Sequence, residues 1–591
     1  MSPLYTVLLC VLVLRTCRFC VADDNDSSLA SLMVNKDTTG LYYVNASVGT
    51  PAQIQMLRVD VAQPYTWLLS QELKEARSGQ EDMDTEDSTF YNADNSSTAH
   101  RLFDQHVHSY QQVDRISYNA SVCMDTMELL SLANMPDSSP EISANRSVGW
   151  RRNSSSLWFR DYAFFDATQV SFDLLQGALG LGGKINLPGS TVDSTQYNES
   201  FYFLDQMLNN NLVSAASYSL WLGADTLDPL GPADGLDNCG KIILGGVDRS
   251  LYTGDFVKFD TVPFIEGPSA ASSRGYPIIP LNKVSVRSGS GQVLNLTSDH
   301  FLEPVLLDSR YRYNYLPLSL IVQIAMQSNA YYVESLDRWL LACDVASKDA
   351  AILFQFGNLI INVPLRDLMG PTYDLATNGS LHFSNSQPAC ELRVLPKANI
   401  GMSILGGPFL KNVYMAAELD SHQIALAQAS TLPRTTISTT TERISTSSHA
   451  HAASGTQSAN NGDESPLQHK VPLTQDNPSA IKSGIIPFAT TNNYSSYDTL
   501  ILQSSSAQHA TVNGLINQFT ATISSDGVVF TGRSFYNTSY TTGPSLSTSS
   551  GLKHRNNAAK NNFLNVKNST PIKTYTTLIP LLIIAIFALL A

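Results

Sequence analysis

Two aspartates, Asp60 and Asp308, each follow a short apolar run and open a turn-like segment. Asp60 stands in Leu57-Arg-Val-Asp-Val-Ala62, and Asp308 stands in Pro304-Val-Leu-Leu-Asp-Ser-Arg310. Two carboxylates held a few ångströms apart cannot both be ionised cheaply, so they share one proton and act as an acid and a base at the same pH. Such a pair can activate water against an amide carbonyl. Taken singly, each residue would be an ordinary turn aspartate. The surrounding elements therefore decide whether the two form a catalytic pair.

Those elements are short apolar runs separated by Gly, Asn, Asp and Pro turns, from about residue 23 to residue 427. This texture predicts a mostly β, two-lobed unit of about 400 residues. After residue 427 the composition changes, and 11 of the 20 residues from 431 to 450 are Ser or Thr. Such a stretch buries little, so it predicts a disordered Ser/Thr-rich stalk. Two more apolar patches, 483–488 and 528–530, leave open whether parts of the stalk are structured.

Both ends of the 591-residue chain indicate the secretory pathway. The apolar run Leu4–Leu14 and the small residues after it predict a signal peptide over 1–22. The apolar tail Leu578–Ala591 is too short for a membrane span and follows the small residues Asn568-Ser-Thr570. This order predicts a GPI-attachment signal over 568–591 with Asn568 as the anchor site, and a plain tail anchor is the alternative.

Composition sets further limits on the partners of the chain. The net charge of −14 argues against nucleic acid, because phosphate binding needs a basic face. The 11 histidines show no metal-ligand spacing, so we expect no metal and no cofactor. The pair Arg151-Arg152 is either a processing site or two surface arginines. N-x-S/T sequons, which predict a glycoprotein, stand at Asn25, Asn45, Asn95, Asn119, Asn145, Asn153, Asn198, Asn295, Asn378, Asn493 and Asn537.

Motifs at five separated places carry a resemblance to a known family, and Leu41–Pro51 with the Asp60 segment forms one of these places. The aspartate segments are accompanied by Leu41–Pro51, which ends in Gly-Thr-Pro, by Gly177-Ala-Leu-Gly-Leu-Gly182, and by a closing segment that begins Ile404-Leu-Gly-Gly-Pro-Phe409. Another motif is Ile242-Ile-Leu-Gly-Gly-Val-Asp248. In this order they resemble the pepsin-like aspartic proteases. With the stalk and the GPI signal they are similar to the yapsins, which are GPI-anchored fungal aspartic proteases.

The resemblance implies a bilobal pepsin-like fold, a polypeptide substrate, and a place at the plasma membrane and cell wall. It also implies that Asp60 and Asp308 are catalytic, that Tyr110 is the flap tyrosine that contacts substrate, and that Cys343 and Cys390 form a disulfide. The anchor would hold the chain to the plasma membrane through the GPI lipid, or to cell-wall glucan if it is transferred there. Cys123 and Cys239 form a second bridge or remain separate buried thiols.

The predicted organisation has six parts. They are the signal peptide (1–22), a short N-terminal segment (23–40), an N-terminal lobe (41–235), a C-terminal lobe (236–428), the stalk (429–567) and the GPI signal (568–591).

Both active-site turns depart from the pattern of the family. Its D-T-G and D-S-G turns read Asp60-Val61-Ala62 and Asp308-Ser309-Arg310 here. Val61 lacks the hydroxyl with which the threonine of the family's turn bonds to the opposite lobe. Ala62 has less backbone freedom than the glycine that the family has at this position. A cation at Arg310 favours ionised carboxylates, so it would remove the shared proton or form a salt bridge with the pair. We therefore expect weak or absent peptidase activity. The alternatives are a pseudoprotease that binds peptide or wall ligands and a structural wall glycoprotein.

Overall fold

The computed structural model describes the following residues: 29–37, 40–77, 89–108, 117–129, 157–170, 176–184, 201–223, 240–266, 274–373, 379–397, 402–430, 478–492, 500–502, 520–524 and 527–530. The predicted signal peptide, Tyr110, the Arg151-Arg152 pair, Cys239 and the GPI signal with Asn568 lie outside these ranges.

The described part of the chain is mostly β, as predicted. The first half contributes β1 (Ser31–Lys36), β2 (Tyr42–Val48), β3 (Gln53–Asp60), β4 (Trp67–Ser70), β5 (Phe90–Tyr91), β6 (His100–His108), β7 (Ser117–Leu129), β8 (Leu157–Val170), β9 (Gly177–Gly180), β10 (Ser217–Trp221), β11 (Gly240–Leu244), β12 (Gly246–Val247), β13 (Tyr252–Asp260), β14 (Phe264–Glu266), β15 (Ile278–Leu281) and β16 (Lys283–Arg287).

The second half contributes β17 (Val293–Asn295), β18 (Glu303–Leu307), β19 (Asn314–Leu316), β20 (Tyr331–Val333), β21 (Arg338–Ala342), β22 (Ala351–Phe356), β23 (Leu359–Pro364), β24 (Met369–Pro371), β25 (Ala389–Leu392), β26 (Val394–Pro396), β27 (Ser403–Leu405), β28 (Val413–Glu418), β29 (Gln423–Ala429), β30 (Ser479–Ala480), β31 (Thr490–Thr491), β32 (Leu500–Leu502), β33 (Thr520–Ser524) and β34 (Gly527–Phe530).

Helices are short and few in the described ranges. They are α1 (Gln71–Arg77), α2 (Phe203–Asn209), α3 (Leu318–Ser328) and α4 (Gly407–Leu410). The longest, α3, buries Leu320, Ile321 and Ile324 on one face and ends at Asn329, which adopts the left-handed conformation with φ 56°. Across the described residues, no helix has the length and apolarity needed to cross a bilayer.

One large sheet joins the two predicted lobes. It runs in the order β31-β13-β29-β28-β10-β11-β1-β2-β3-β9-β4-β8-β7-β6, with β5 beside β4. Strand β10, in the predicted N-terminal lobe, pairs antiparallel with β28, in the predicted C-terminal lobe. Strand β1, which lies in the predicted N-terminal segment, pairs with both β11 and β2 and so belongs to this sheet. The lobes therefore share a continuous hydrogen-bonded floor.

Alternating burial explains how the strands of this floor sit on the core. In β2 every second residue from Tyr42 to Val48 is buried, which is the period of two expected for a strand with one face on the core. The strands that lead to the two aspartates differ, because their last four residues are all buried. Both aspartates therefore lie at the ends of strands that are covered on two faces.

Candidate active site

Asp60 is positioned by a parallel pair of strands. The end of β3 pairs with β9, so that Asp60 lies opposite Gly180, and the Leu181 amide donates to the Asp60 carbonyl oxygen at 2.7 Å. A Cβ on Gly180 would lie 2.5 Å from the carbonyl oxygen of Tyr65, so only glycine lets this strand approach the turn. The motif Gly177–Gly182 thus packs directly against the first aspartate turn.

Asp308 is held in the same way in the other lobe. Strand β18 pairs in parallel with β27, and the Asp308 amide donates to the carbonyl oxygen of Leu405 at 3.1 Å. A Cβ on Gly406 would lie 2.4 Å from the carbonyl oxygen of Tyr311. Two similar local folds therefore deliver the two carboxylates, and the Ile404-Leu-Gly-Gly motif is the counterpart of Gly177–Gly182.

Backbone amides bind one oxygen of each carboxylate. The amides of Ala62 and Gln63 donate to Asp60 Oδ1 at 3.1 and 2.9 Å, and the Arg310 amide donates to Asp308 Oδ1 at 3.0 Å. We expected Ala62 to narrow the backbone freedom of a glycine. However, Ala62 is not among the residues with positive φ. Alanine therefore adopts this turn without backbone strain, and its amide still contacts the carboxylate.

The Ser309 hydroxyl forms hydrogen bonds to the backbone next to Asp60 in the opposite lobe. Its hydroxyl donates to the carbonyl oxygen of Val59 at 2.5 Å and accepts from the Val61 amide at 3.2 Å. Val61 has no hydroxyl to make the reciprocal contact, and its side chain is buried in the core. The hydrogen bonds that the Ser309 hydroxyl makes to the opposite lobe are therefore present, and the reciprocal ones from position 61 are missing.

The Arg310 guanidinium lies between the two carboxylates. Nε is 2.7 Å from Asp60 Oδ2, which is an ion-pair distance. Nη2 donates to Asp308 Oδ2 at 3.1 Å, and Nε also contacts Asp308 Oδ1 at 3.4 Å. One cation therefore pairs with an aspartate from each lobe.

This cluster is closed to solvent. Both aspartate side chains are 0 % exposed, and the Arg310 side chain is 4 % exposed. An acid–base pair that hydrolyses an amide needs one proton and one water between its carboxylates. In this structure guanidinium nitrogens occupy the space beside both carboxylates.

Arg58 is a second buried cation near the pair, and it is not among the site residues predicted from the sequence. Nη2 of Arg58 donates to Gln176 Oε1 at 3.1 Å, whereas buried Nε and Nη1 make no hydrogen bond. Burial, with a smaller contribution from the Arg310 cation, lowers the pKa of Arg58 to about 10 although the charges of Asp37 and Asp60 oppose the shift. The signal was available, because a charged residue interrupts the apolar strand two residues before Asp60.

The other predicted site residues have separate outcomes. Tyr110 lies outside the described residues, so the flap tyrosine stays a prediction. Cys343 and Cys390 form a disulfide that closes a separation of 47 residues. Cys123 is buried on β7 and forms no disulfide with a described cysteine, and Cys239 lies outside the described ranges, so a second bridge stays a prediction. Among the described residues, no group of three His, Cys, Asp or Glu side chains is placed to hold a metal.

Comparison with known proteins agrees with this geometry. The model of the eukaryotic aspartyl protease family matches residues 155–429. Aspartic proteinase yapsin-7 of Saccharomyces cerevisiae is 38 % identical over 519 residues, which cover 86 % of this chain and 80 % of the relative. Aspartic proteinase yapsin-3 of the same yeast is 26 % identical over 45 % of this chain and 49 % of its own length. Secreted aspartic protease 9 of Candida albicans is 28 % identical over 47 % of this chain and 45 % of its own length.

These matches confirm the predicted mostly β, pepsin-like fold. The match to yapsin-7 covers 86 % of this chain and agrees with the family resemblance of the sequence motifs. The chain therefore belongs to the yapsin family of aspartic proteases.

Proposed function

We propose that this chain is a yapsin-family pseudoprotease of the cell surface, in which Arg310 silences the aspartate pair and the space between the lobes binds polypeptide without cutting it. The observation that supports this most is the position of the guanidinium, 2.7 Å from Asp60 and 3.1 Å from Asp308. Aspartic proteases act on polypeptides, so a polypeptide is the ligand class that the family membership favours.

The loss of activity follows from the charge balance of the site. Without a cation, two facing carboxylates keep one proton between them, and this proton makes one of them an acid. A guanidinium in contact with both stabilises the doubly ionised state, which has a base but no acid. Because Arg310 is almost fully buried, solvent screens this interaction little. Its nitrogens also take the place where the attacking water would bind.

Surface location rests on the ends of the sequence. The predicted signal peptide, the Ser/Thr-rich composition after residue 429 and the apolar tail after Asn568 together support secretion and GPI anchoring. Treatment of intact cells with a phosphatidylinositol-specific phospholipase tests this proposal. Release of the chain into the medium supports a GPI lipid, whereas retention by the cells contradicts a lipid-only attachment. A chain retained after that treatment but released by glucanase would be attached to the wall.

The activity experiment compares purified residues 23–567 with a restored variant on a mixed peptide library from pH 3 to 7. The restored variant carries Val61→Thr, Ala62→Gly and Arg310→Gly, and its control adds Asp308→Asn. We expect no cleavage by the natural sequence, cleavage by the restored variant, and loss of that cleavage in the control. Cleavage by the natural sequence that Asp308→Asn abolishes would refute the proposal.

The competing hypothesis is a structural wall glycoprotein. Peptide binding distinguishes it from a pseudoprotease. The same peptide library can be immobilised and probed with the natural chain. Retention of specific peptides supports a ligand-binding role. Absence of any retention, together with absence of cleavage, would leave the lobes as a spacer.

A further inference from the structure

The region after residue 430, whose composition predicts a stalk, returns to the folded body. We use the name C-terminal strap for its described segments: 478–492, 500–502, 520–524 and 527–530. Strand β30 pairs with β12, β31 with β13, β32 with β14, and β33 with β20. Four separate strands of the body thus gain a hydrogen-bonded partner from the strap.

The first contact covers the sheet that joins the lobes. The Ile481 amide donates to the carbonyl oxygen of Gly245 at 2.7 Å, and the Ser214 hydroxyl donates to the carbonyl oxygen of Ile481 at 2.8 Å. The Gly484 amide donates to the carboxylate of Glu418 at 3.0 Å, and Glu418 is itself fully buried in β28. These bonds fix the strap to β28 and to Ser214 and Gly245, which lie just outside β10 and β11.

Apolar packing accompanies these hydrogen bonds. Ile481 is 0 % exposed and Ile486 is 4 % exposed, whereas a polar stalk would leave such side chains in water. They belong to one buried cluster with Val247, Tyr252, Phe256, Tyr414, Ala416, Ala425 and Ala427. The strap therefore helps cover an apolar sheet face, which removes its surface from water.

The second contact lies on the sheet of the C-terminal lobe. Strand β33 runs parallel to β20 and forms a hairpin with β34. The Val528 amide donates to the carbonyl oxygen of His382 at 2.8 Å, and the Ser384 amide donates to that of Val528 at 3.2 Å. Val528 is 0 % exposed and Ala521 is 3 % exposed, and both pack with Tyr331, Val333, Leu340 and Phe383.

We propose that the C-terminal strap is a permanently docked part of the body, and that it holds the body to the C-terminal end of the chain without needing the covalent segment 431–477. The strap covers edge strands that would otherwise be free to pair with other chains. Its two apolar contacts, one on the joining sheet and one on the C-terminal lobe, act together on a single segment, which strengthens the attachment beyond either contact alone. This inference does not depend on whether the aspartate pair is active.

The test uses the full secreted chain with a cleavage site for a sequence-specific protease inserted between Ser454 and Gly455. After complete cutting, we expect the body and the C-terminal fragment to elute together in native size-exclusion chromatography and to separate only in denaturant. Separation of the fragments under native conditions would overturn the proposal.

Paired substitutions assign the effect to the contacts described. Ile481→Asp with Val528→Asp places charges at the two fully buried positions, and we expect the cut fragments to separate. The matched control, Ile485→Asp with Thr522→Asp, changes a side chain that is 60 % exposed and another exposed one, and its fragments should stay together. Co-elution of the fragments of the first variant would contradict these contacts.

A measurement on the unsubstituted, uncut chain covers the case in which the buried variant does not fold. The amides of Ile481 and Val528 donate to body carbonyls, so we expect hydrogen exchange slowed by about 100-fold or more relative to an unstructured peptide. Exchange at the unstructured rate in peptides that span 478–492 and 527–530 would refute docking.

Discussion

Replacing Arg310 by methionine tests the charge cluster directly. Methionine keeps an unbranched side chain of similar reach but removes the cation that contacts Asp60 at 2.7 Å and Asp308 at 3.1 Å. At an effective dielectric constant of about 20, each contact contributes about 5 kcal/mol of Coulomb attraction. Burying the guanidinium offsets part of this. Loss of one partner from a buried ion cluster typically costs about 3–5 kcal/mol, so we expect the variant to lose about that much free energy of unfolding at pH 7.

The loss should depend on pH with a definite sign. In Arg310→Met the two facing carboxylates of the folded chain retain a proton, whereas the carboxylates of the unfolded chain ionise near pH 4. The folded variant therefore binds more protons than the unfolded chain above that pH. Its stability falls as the pH rises. The difference between the natural chain and the variant should consequently be smaller at pH 3 than at pH 7.

Urea unfolding at pH 3, 5 and 7, followed by intrinsic fluorescence, measures this difference. The matched control is Arg312→Met, which removes an exposed arginine two residues away and should change the free energy of unfolding by less than about 1 kcal/mol. If Arg310→Met costs no more than the control at pH 7, the guanidinium does not hold the carboxylates together. In that case the proposal that Arg310 abolishes the peptidase activity of the aspartate pair fails.

Three further predictions concern single features of the fold. Ser309→Ala should lower the free energy of unfolding by about 1–3 kcal/mol, because it leaves a buried carbonyl and a buried amide of the opposite lobe without their partner; an unchanged urea midpoint would contradict this. Removing the disulfide with Cys343→Ala and Cys390→Ala should cost about 4 kcal/mol for a loop of 47 residues, visible as a lower Tm, and equal Tm values would refute it. Burial raises the pKa of Asp166 to about 7, so this residue should withdraw about 4 kcal/mol of stability as the pH rises from about 4 to 7. Asp166→Asn should abolish that part of the pH dependence in urea titrations, the exposed Asp104→Asn should not, and equal slopes for the two variants would contradict the shift.

The local folds around the aspartates could be predicted from the sequence because each depends on short patterns of consecutive residues. Strands that end in Asp60 and Asp308, and Gly-rich strands that cross them, are short patterns with fixed spacing. The hydroxyl of Ser309 and the missing hydroxyl of Val61 follow from residue type alone. The direction of the Arg310 side chain does not. Its placement beside both aspartates depends on residues 248 positions apart in the chain, so the sequence left open whether the cation would remove the shared proton or form a salt bridge with the pair.

The strap was only partly predictable, for a different reason. The apolar patches 483–488 and 528–530 left open whether this region is structured, but nothing in the sequence indicated that Ile481 and Val528 are buried against the body. A period of two needs a run of residues, and two-residue strands such as β30 and β31 do not provide one. Tertiary pairing with an existing sheet creates these strands. Arg58 was missed because an arginine inside a strand is usually exposed, whereas this one is buried near the pair.

The docked strap also limits the distance that could separate the body from the predicted anchor site. If the lipid is attached at Asn568, the predicted stalk of 429–567 would offer 139 residues, or up to about 490 Å of chain. The last docked strand among the described residues ends at Phe530, and the 37 residues from 531 to 567 could span at most about 130 Å. With such an anchor, the body would therefore lie within about 130 Å of the bilayer instead of about 490 Å.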